Sequence, residues 1–332
     1  MVYKKQVGIM VKIRGYGKKE TRRERVGIFL PSLLFFILFP YIISSFSEAE
    51  KQTFEPENTL GQIYVIEKRI WGGRKIPLEE YLTGMLAATI PPEYEPETLK
   101  AQAVILRSYC VNYMKKEEGR KVIYEEELEE YYVTEQECEK VWKEETDLHL
   151  QKMQNAVNDT KGLILVSDGD VVKPPFCRMS NGKSRDITEY VAHKENYGYM
   201  KTVTCSKDCL AADFIQYQEI SQKEFEKILG KLVQKKTDNL KKIILYRDNN
   251  GYVKEVQIGE EKIDGDRFRE TLKLQSSSYS LDKIDNTIEI QTKGIGHGFG
   301  FVQYEANELA KNEKDYMDLL NYFFDNISFE KL

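Results

Sequence analysis

The chain has 332 residues, 41% apolar and 31% charged, a balance that suits a folded, core-forming protein and excludes a disordered or fibrous one. Its 49 basic and 54 acidic residues leave a formal net charge of -5, which argues against a nucleic-acid binder, since those carry a basic excess.

Charge is unevenly placed along the chain. Residues 1–25 are rich in Lys and Arg, and Val26 to Phe46 then hold no charge at all. About 20 apolar residues suffice to cross a bilayer. Lys18, Lys19, Arg22, Arg23 and Arg25 precede this run while Glu48 and Glu50 follow it. The positive-inside rule therefore puts the N-terminus in the cytoplasm. A cleaved signal peptide is the alternative, but the long basic leader, the length of the run and the lack of an A-x-A-like site favour a retained anchor. The expected layout is a cytoplasmic leader (1–25), a transmembrane anchor (26–46), a polar stalk (47–61) and one extracytoplasmic domain (62–332). The protein would be a single-pass cell-membrane protein.

Gln62 to Ile66 reads as a strand, closed by the turn-like Trp71-Gly72-Gly73. Leu78, Tyr81, Leu82, Met85 and Leu86 follow a helical period that Pro91-Pro92 ends, and a second helix begins at Pro96 and runs through Leu99, Ala103, Leu106 and Cys110. Lys115 to Asp147 is acidic and Tyr-containing, a solvated insertion with some helix. Leu150, Met153, Ala156 and Val157 mark a further helix. Leu163 to Val172, turning at Asp168-Gly169, reads as a hairpin, as does Ile243 to Ile258, turning at Asn249-Asn250-Gly251. Ile288 to Gln291 is a strand leading into a glycine-rich segment. The fold class expected is α+β, in a single mixed domain.

Three segments carry candidate chemistry. In Gly294 to Tyr304, four alternating glycines permit close backbone approach and present His297 from a tight loop, ahead of Gln303 and Tyr304. A structural turn with a buried histidine fits equally well, and without a Gly-Lys-Ser/Thr ending this is no phosphate loop. Between the first two helices, Glu93, Glu95 and Glu97 crowd one connection. Paired carboxylates can serve glycoside chemistry, although a solvated loop with favourable charge at a helix start is the commoner arrangement. Downstream, Cys177, Cys205 and Cys209 could join His193 around zinc, or Cys205 and Cys209 could form a disulfide, while Cys110 reads as core. No cofactor is required by any of these segments.

Taken together, the ordered motifs resemble the domain of the stage II sporulation protein D family and its amidase-enhancer relatives. The resemblance runs from about Ile76 to Tyr322. It rests on Ile76 to Ala88, Leu99 to Val104, Arg107 to Tyr109, Ser180 to Ser184, Arg267 to Leu274 with Ser276 and Ser277, and Gly296 to Gly300 with Gln303, Tyr304 and Ala306. It implies action on peptidoglycan glycan strands as a lytic transglycosylase, with one carboxyl serving as both acid and base. It also implies partners in engulfment, among them a membrane protein and a cell-wall amidase. The family's glutamate follows the Ala-Ala at the end of the first helix, and here that position is Thr89. The family's histidine at the start of the small loop is Cys177. The expectation is a peptidoglycan-remodelling or glycan-binding protein with weakened or lost cleavage, Thr89 lying in the glycan cleft and facing the loop of His297 and Gln303. Thr89, Arg107, Ser180, Lys183, His297, Gln303 and Tyr304 would contact substrate. Two alternatives are an active enzyme using Glu93, Glu95 or Glu97, and a non-catalytic adaptor for the amidase.

Overall fold

The computed structural model describes residues 63–67, 73–114, 120–128, 132–233 and 243–332, all within one compact unit, Gly61–Leu332. The leader, the anchor and the stalk expected from the sequence lie outside these residues. No helix among the described residues is long and apolar enough to cross a membrane. The architecture is mixed α+β.

The elements begin with β1 (Tyr64–Glu67), β2 (Arg74–Pro77), α1 (Leu78–Thr89), α2 (Pro96–Met114) and β3 (Val122–Tyr124). Next come α3 (Glu135–Trp142), α4 (Thr146–Asp159), β4 (Leu163–Ser167), β5 (Asp170–Val171), β6 (Phe176–Cys177), β7 (Ile215–Ser221) and α5 (Gln222–Leu232). They continue with β8 (Ile243–Arg247), β9 (Val253–Ile258), β10 (Glu261–Asp264), α6 (Gly265–Leu272), β11 (Ser278–Ile284) and β12 (Thr287–Lys293). The chain closes with β13 (Phe301–Val302), α7 (Gln303–Ala310), α8 (Tyr316–Phe323) and β14 (Ser328–Lys331).

Helix α1 buries Leu78, Tyr81, Leu82, Met85 and Leu86, the apolar period visible in the sequence, against α2, α4 and β1. Cys110 joins this core, its sulfur 3.7 Å from that of Met85. Pro91 cannot continue a helix, and α1 ends with Ile90 in an extended conformation. The opposite face of α2 (Ala101, Val104, Ile105) packs with Phe301, Val302, Leu319, Leu320 and Phe323 from the C-terminal end. So α2 is the wall shared by two cores. A third core lies among α5, α6, β9 and β12.

The acidic insertion is less solvated than its composition implies. Tyr132 stacks on Tyr81 at 4.3 Å, and Cys138 and Trp142 of α3 are buried. At Gly84 an added Cβ would sit 2.2 Å from the Tyr132 ring, so glycine lets the insertion lie flat on α1.

The sheets are small: β2-β1-β3, β10-β9-β8, β11-β12-β7, β14-β4-β5 and the two-stranded β13-β6. The last matters most for the site. Its parallel register, Phe301 with Phe176 and Val302 with Cys177, lays the glycine-rich segment along the segment that precedes Ser180. Met179 bridges Ile295 in the same seam.

Candidate functional site

The end of α1 meets the start of α7. Gln303, almost fully buried, donates from Nε2 to the Thr89 carbonyl (2.9 Å) and to Gln102 Oε1 (3.2 Å). One turn further along α7, Asn307 Oδ1 accepts the Glu95 backbone N–H at 2.7 Å. The connection Pro91–Glu95 is thereby clamped between α2 and α7, and Lys152 of α4 donates to the carbonyls of Pro92 and Tyr94. The half-buried Thr89 hydroxyl donates back to the Met85 carbonyl in its own helix at 2.8 Å.

A threonine whose proton is committed to its own helix offers a neutral oxygen acceptor and no proton to give near neutral pH. Of the three nearby glutamates, Glu97 is engaged structurally: it accepts from Lys100 Nζ (2.9 Å) and from the Tyr316 backbone N–H (3.0 Å). Glu93 is exposed and Glu95 half-buried.

His297 makes its hydrogen bonds within its own loop and with Arg185. Its Nδ1 accepts the Phe299 N–H at 3.0 Å, and its carbonyl accepts from Arg185 Nη1 at 3.0 Å. Burial first, then the Arg269 guanidinium, lowers its pKa to about 4, so the ring is neutral. Arg185 is itself buried, ion-paired to Asp266 at 2.8 Å and ringed by Tyr190, Phe299 and Tyr252 at 4.3, 4.5 and 5.2 Å. This cluster fixes the glycine loop from the side of α6.

Two other expected contacts are structural. Arg107 is fully buried, its fork on Glu79 (2.9 and 2.7 Å) and its remaining donors on the carbonyls of Leu163 and Val157, both at 3.1 Å. Ser180 is also fully buried, and its N–H and hydroxyl both donate to Asp208 Oδ2, at 2.7 and 2.6 Å. Lys183 is exposed and Tyr304 half-buried, so both remain open to a ligand.

The zinc set does not assemble. His193 is exposed and paired with Glu195 at 3.1 Å, and among the described residues no three His, Cys, Asp or Glu side chains gather as a metal requires. All five cysteines are free, so Cys205 and Cys209 are not bridged. Cys205 is buried with its sulfur toward the Val203 carbonyl, whereas Cys209 is exposed. Burial pushes the Cys177 thiol up to about 12 and Cys205 higher still, the reverse of what a thiolate ligand needs.

Sequence reasoning missed Gln102, Asn307 and Asp208. Asn307 follows Gln303 by four residues and so shares its helical face, a signal that could have been read. Asp208 had none. It is fully buried, and desolvation raises its carboxyl to about 7, with buried Glu305 beside it also raised. Both brace backbone, since Glu305 Oε2 accepts the Lys207 N–H at 2.7 Å.

The glycine loop shows why the segment is rigid. Gly298 has φ +85°, and a Cβ there would lie 2.4 Å from the buried Tyr252 ring. Tyr252 in turn accepts from the Asn181 N–H (3.0 Å) and donates to the Lys183 carbonyl (2.9 Å). Gly298→Ala should therefore cost about 2–4 kcal/mol, combining left-handed backbone strain with overpacking. Urea unfolding would measure it, and a loss below about 0.5 kcal/mol, the scale of an ordinary surface substitution, would show that the loop yields.

Comparison with known proteins adds an independent line. A profile described as stage II sporulation protein matches residues 67–166, which include α1, α2 and α4. Stage II sporulation protein D of Bacillus amyloliquefaciens is 30% identical over 257 residues, covering 76% of this chain and 74% of that one. The protein of the same name from Bacillus subtilis (strain 168) is 28% identical over 256 residues, covering 75% and 73%. An uncharacterized protein of Brachyspira hyodysenteriae is 26% identical over 258 residues, covering 76% of this chain and 66% of its own length.

Proposed function

This chain belongs to the stage II sporulation protein D family, and from that premise we propose that it is a sporulation protein of the cell wall that binds peptidoglycan glycan strands and has weakened or lost lytic transglycosylase activity. The observation that carries the reading is Thr89. It ends α1 at the meeting point with Gln303, and its hydroxyl is turned back onto the Met85 carbonyl where the family resemblance expects a carboxyl. The surroundings suit a polyhydroxylated ligand, with Tyr304 accessible beside Gln303 and the connection between α1 and α2 held to α7 by the Glu95–Asn307 bond. Binding needs such a frame; proton transfer needs the missing acid as well.

The direct test is incubation of the wild-type domain with purified glycan strands. The expected result is retention of the strands with little or no anhydro-sugar product. Robust release, surviving Thr89→Ala and lost on Glu93→Gln or Glu95→Gln, would replace this reading with an active enzyme using a substitute acid.

The proposal includes a single N-terminal span at 26–46, motivated by its uncharged length and basic cytoplasmic flank. The protein should fractionate with membranes and expose residues 62–332 to external protease. A soluble species beginning near Ser47 would show cleavage instead. The partners that follow from this reading are glycan strands, the membrane and other engulfment proteins, including a cell-wall amidase that would co-purify with the domain.

A further inference from the structure

Strand β7 is a bare edge of the β11-β12-β7 sheet: no described strand pairs with its outer side. An uncovered edge of this kind is a template for another chain. Five of its seven residues are exposed, Gln218 among them although it lies on the inner face with buried Ile220. Among the described strands β7 alone carries two large exposed apolar side chains, Ile215 (43%) and Tyr217 (62%). Both belong to the outer face, where Gln291 of β12 donates to the Tyr217 hydroxyl at 2.7 Å.

The third outward residue, Glu219, continues a line of carboxylates. It stands directly opposite Glu289 of β12, which stands directly opposite Asp282 of β11. Like charges placed in this way destabilise a sheet. None of the three is ion-paired to a described residue. Lys293, on the same face, lies four residues along β12 from Glu289, roughly 13 Å away and beyond a Debye length. Glu255 and Asp264 also oppose each other, across β9 and β10, but they are engaged: Lys262 pairs with Glu255 at 2.6 Å, and Asp264 caps α6. So β7 combines an unpaired edge, two apolar side chains and an uncompensated row of negative charge.

We propose that β7 is a docking edge for an extended, basic segment of a partner protein, which adds as an antiparallel fourth strand and sets a Lys or Arg opposite Glu219. In this mode main-chain hydrogen bonds supply affinity, and side chains at alternate positions supply selectivity. Opposite Tyr217 and Ile215 the segment carries apolar residues, so it reads basic, any, apolar, any, apolar. Charge decides against a second copy of this chain, whose own β7 would bring a second acidic row alongside the first. The inference stands apart from the glycan-binding reading.

The experiment measures binding of synthetic peptides to the full-length protein in detergent by fluorescence anisotropy. One peptide of about seven residues alternates Thr and Val and places Lys opposite Glu219; its twin places Glu there. The Lys peptide should bind about fivefold more tightly than the Glu twin, the scale of a cross-strand charge pair. Glu219→Lys should reverse that order, and because Glu219 is exposed the variant should fold. N-methylation of one set of alternate amides in the Lys peptide should abolish binding, while methylation of the other set should be tolerated, since only one edge of an added strand faces β7. Equal binding of the twins, or an order that Glu219→Lys leaves unchanged, overturns the basic partner. Tolerance of both methylated forms overturns strand addition, and binding of neither twin overturns the docking edge altogether.

Discussion

Thr89→Glu should raise anhydro-sugar release from purified glycan strands by about 10²- to 10⁴-fold, the usual worth of a positioned general acid. The position favours the chemistry. Residue 89 ends α1, where the helix presents the negative end of its dipole, and the last turn carries no basic residue to offset it. A carboxyl there is held protonated more readily than in water, which suits a group that must give a proton near neutral pH. Half-burial adds to the same shift. The substitution removes only a hydrogen bond from the threonine hydroxyl to its own helix, so folding should survive it. Thr89→Gln has the same length without the acid and should stay inactive. A stable Thr89→Glu protein that binds glycan yet releases no product would mean that the cleft has lost more than its acid.

Arg107→Ala should destabilise the domain by about 3–5 kcal/mol, the cost of leaving one partner of a buried ion pair uncompensated. Arg107 has no exposed surface and ties α1, through Glu79, to the end of α4 and the start of β4. Gly162 also donates to Glu79 at 3.1 Å, so the carboxylate holds the turn into β4 as well. Urea unfolding measures the loss. Arg107→Lys should recover only part of it, because one ammonium cannot replace a fork that serves two carboxylate oxygens and two carbonyls. A loss below about 1 kcal/mol, the ceiling for an exposed pair, would show that the interaction is replaced by water and return Arg107 to the list of possible ligand contacts.

That prediction also marks where the sequence stopped being legible. Both opening helices could be read from apolar spacing, because Leu78, Tyr81, Leu82, Met85 and Leu86 report a buried face directly. The hairpin through Asp168 and Gly169 could be read because both residues tolerate the positive φ that the turn imposes, 52° and 82°. Arg107 could not. A charged residue reads as exposed or functional until its partner is seen, and Glu79 lies 28 residues away. Ser180 misled in the same way, since its partner Asp208 is equally distant in sequence. For the site, motif order led to the expectation that Thr89 faces the segment of Gln303, and the amide of Gln303 does hold the Thr89 carbonyl. The direction of His297 depended on which side of the glycine loop Arg185 and α6 occupy, a tertiary fact that local pattern does not encode.

The clamp between Thr89 and Gln303 joins residues 214 positions apart, and the bonds Glu95–Asn307 and Tyr316–Glu97 span 212 and 219. During synthesis, then, the link between the first two helices is held at first only from α4, through Lys152. The bonds from α7 and α8 that complete its fixing must wait until nearly the whole polypeptide has appeared. Closing so large a loop is entropically slow, which makes completion of the site a late event in folding. A ribosome-stalled chain ending before residue 303 should already protect α1 and α2 from proteolysis while leaving their connection cleavable.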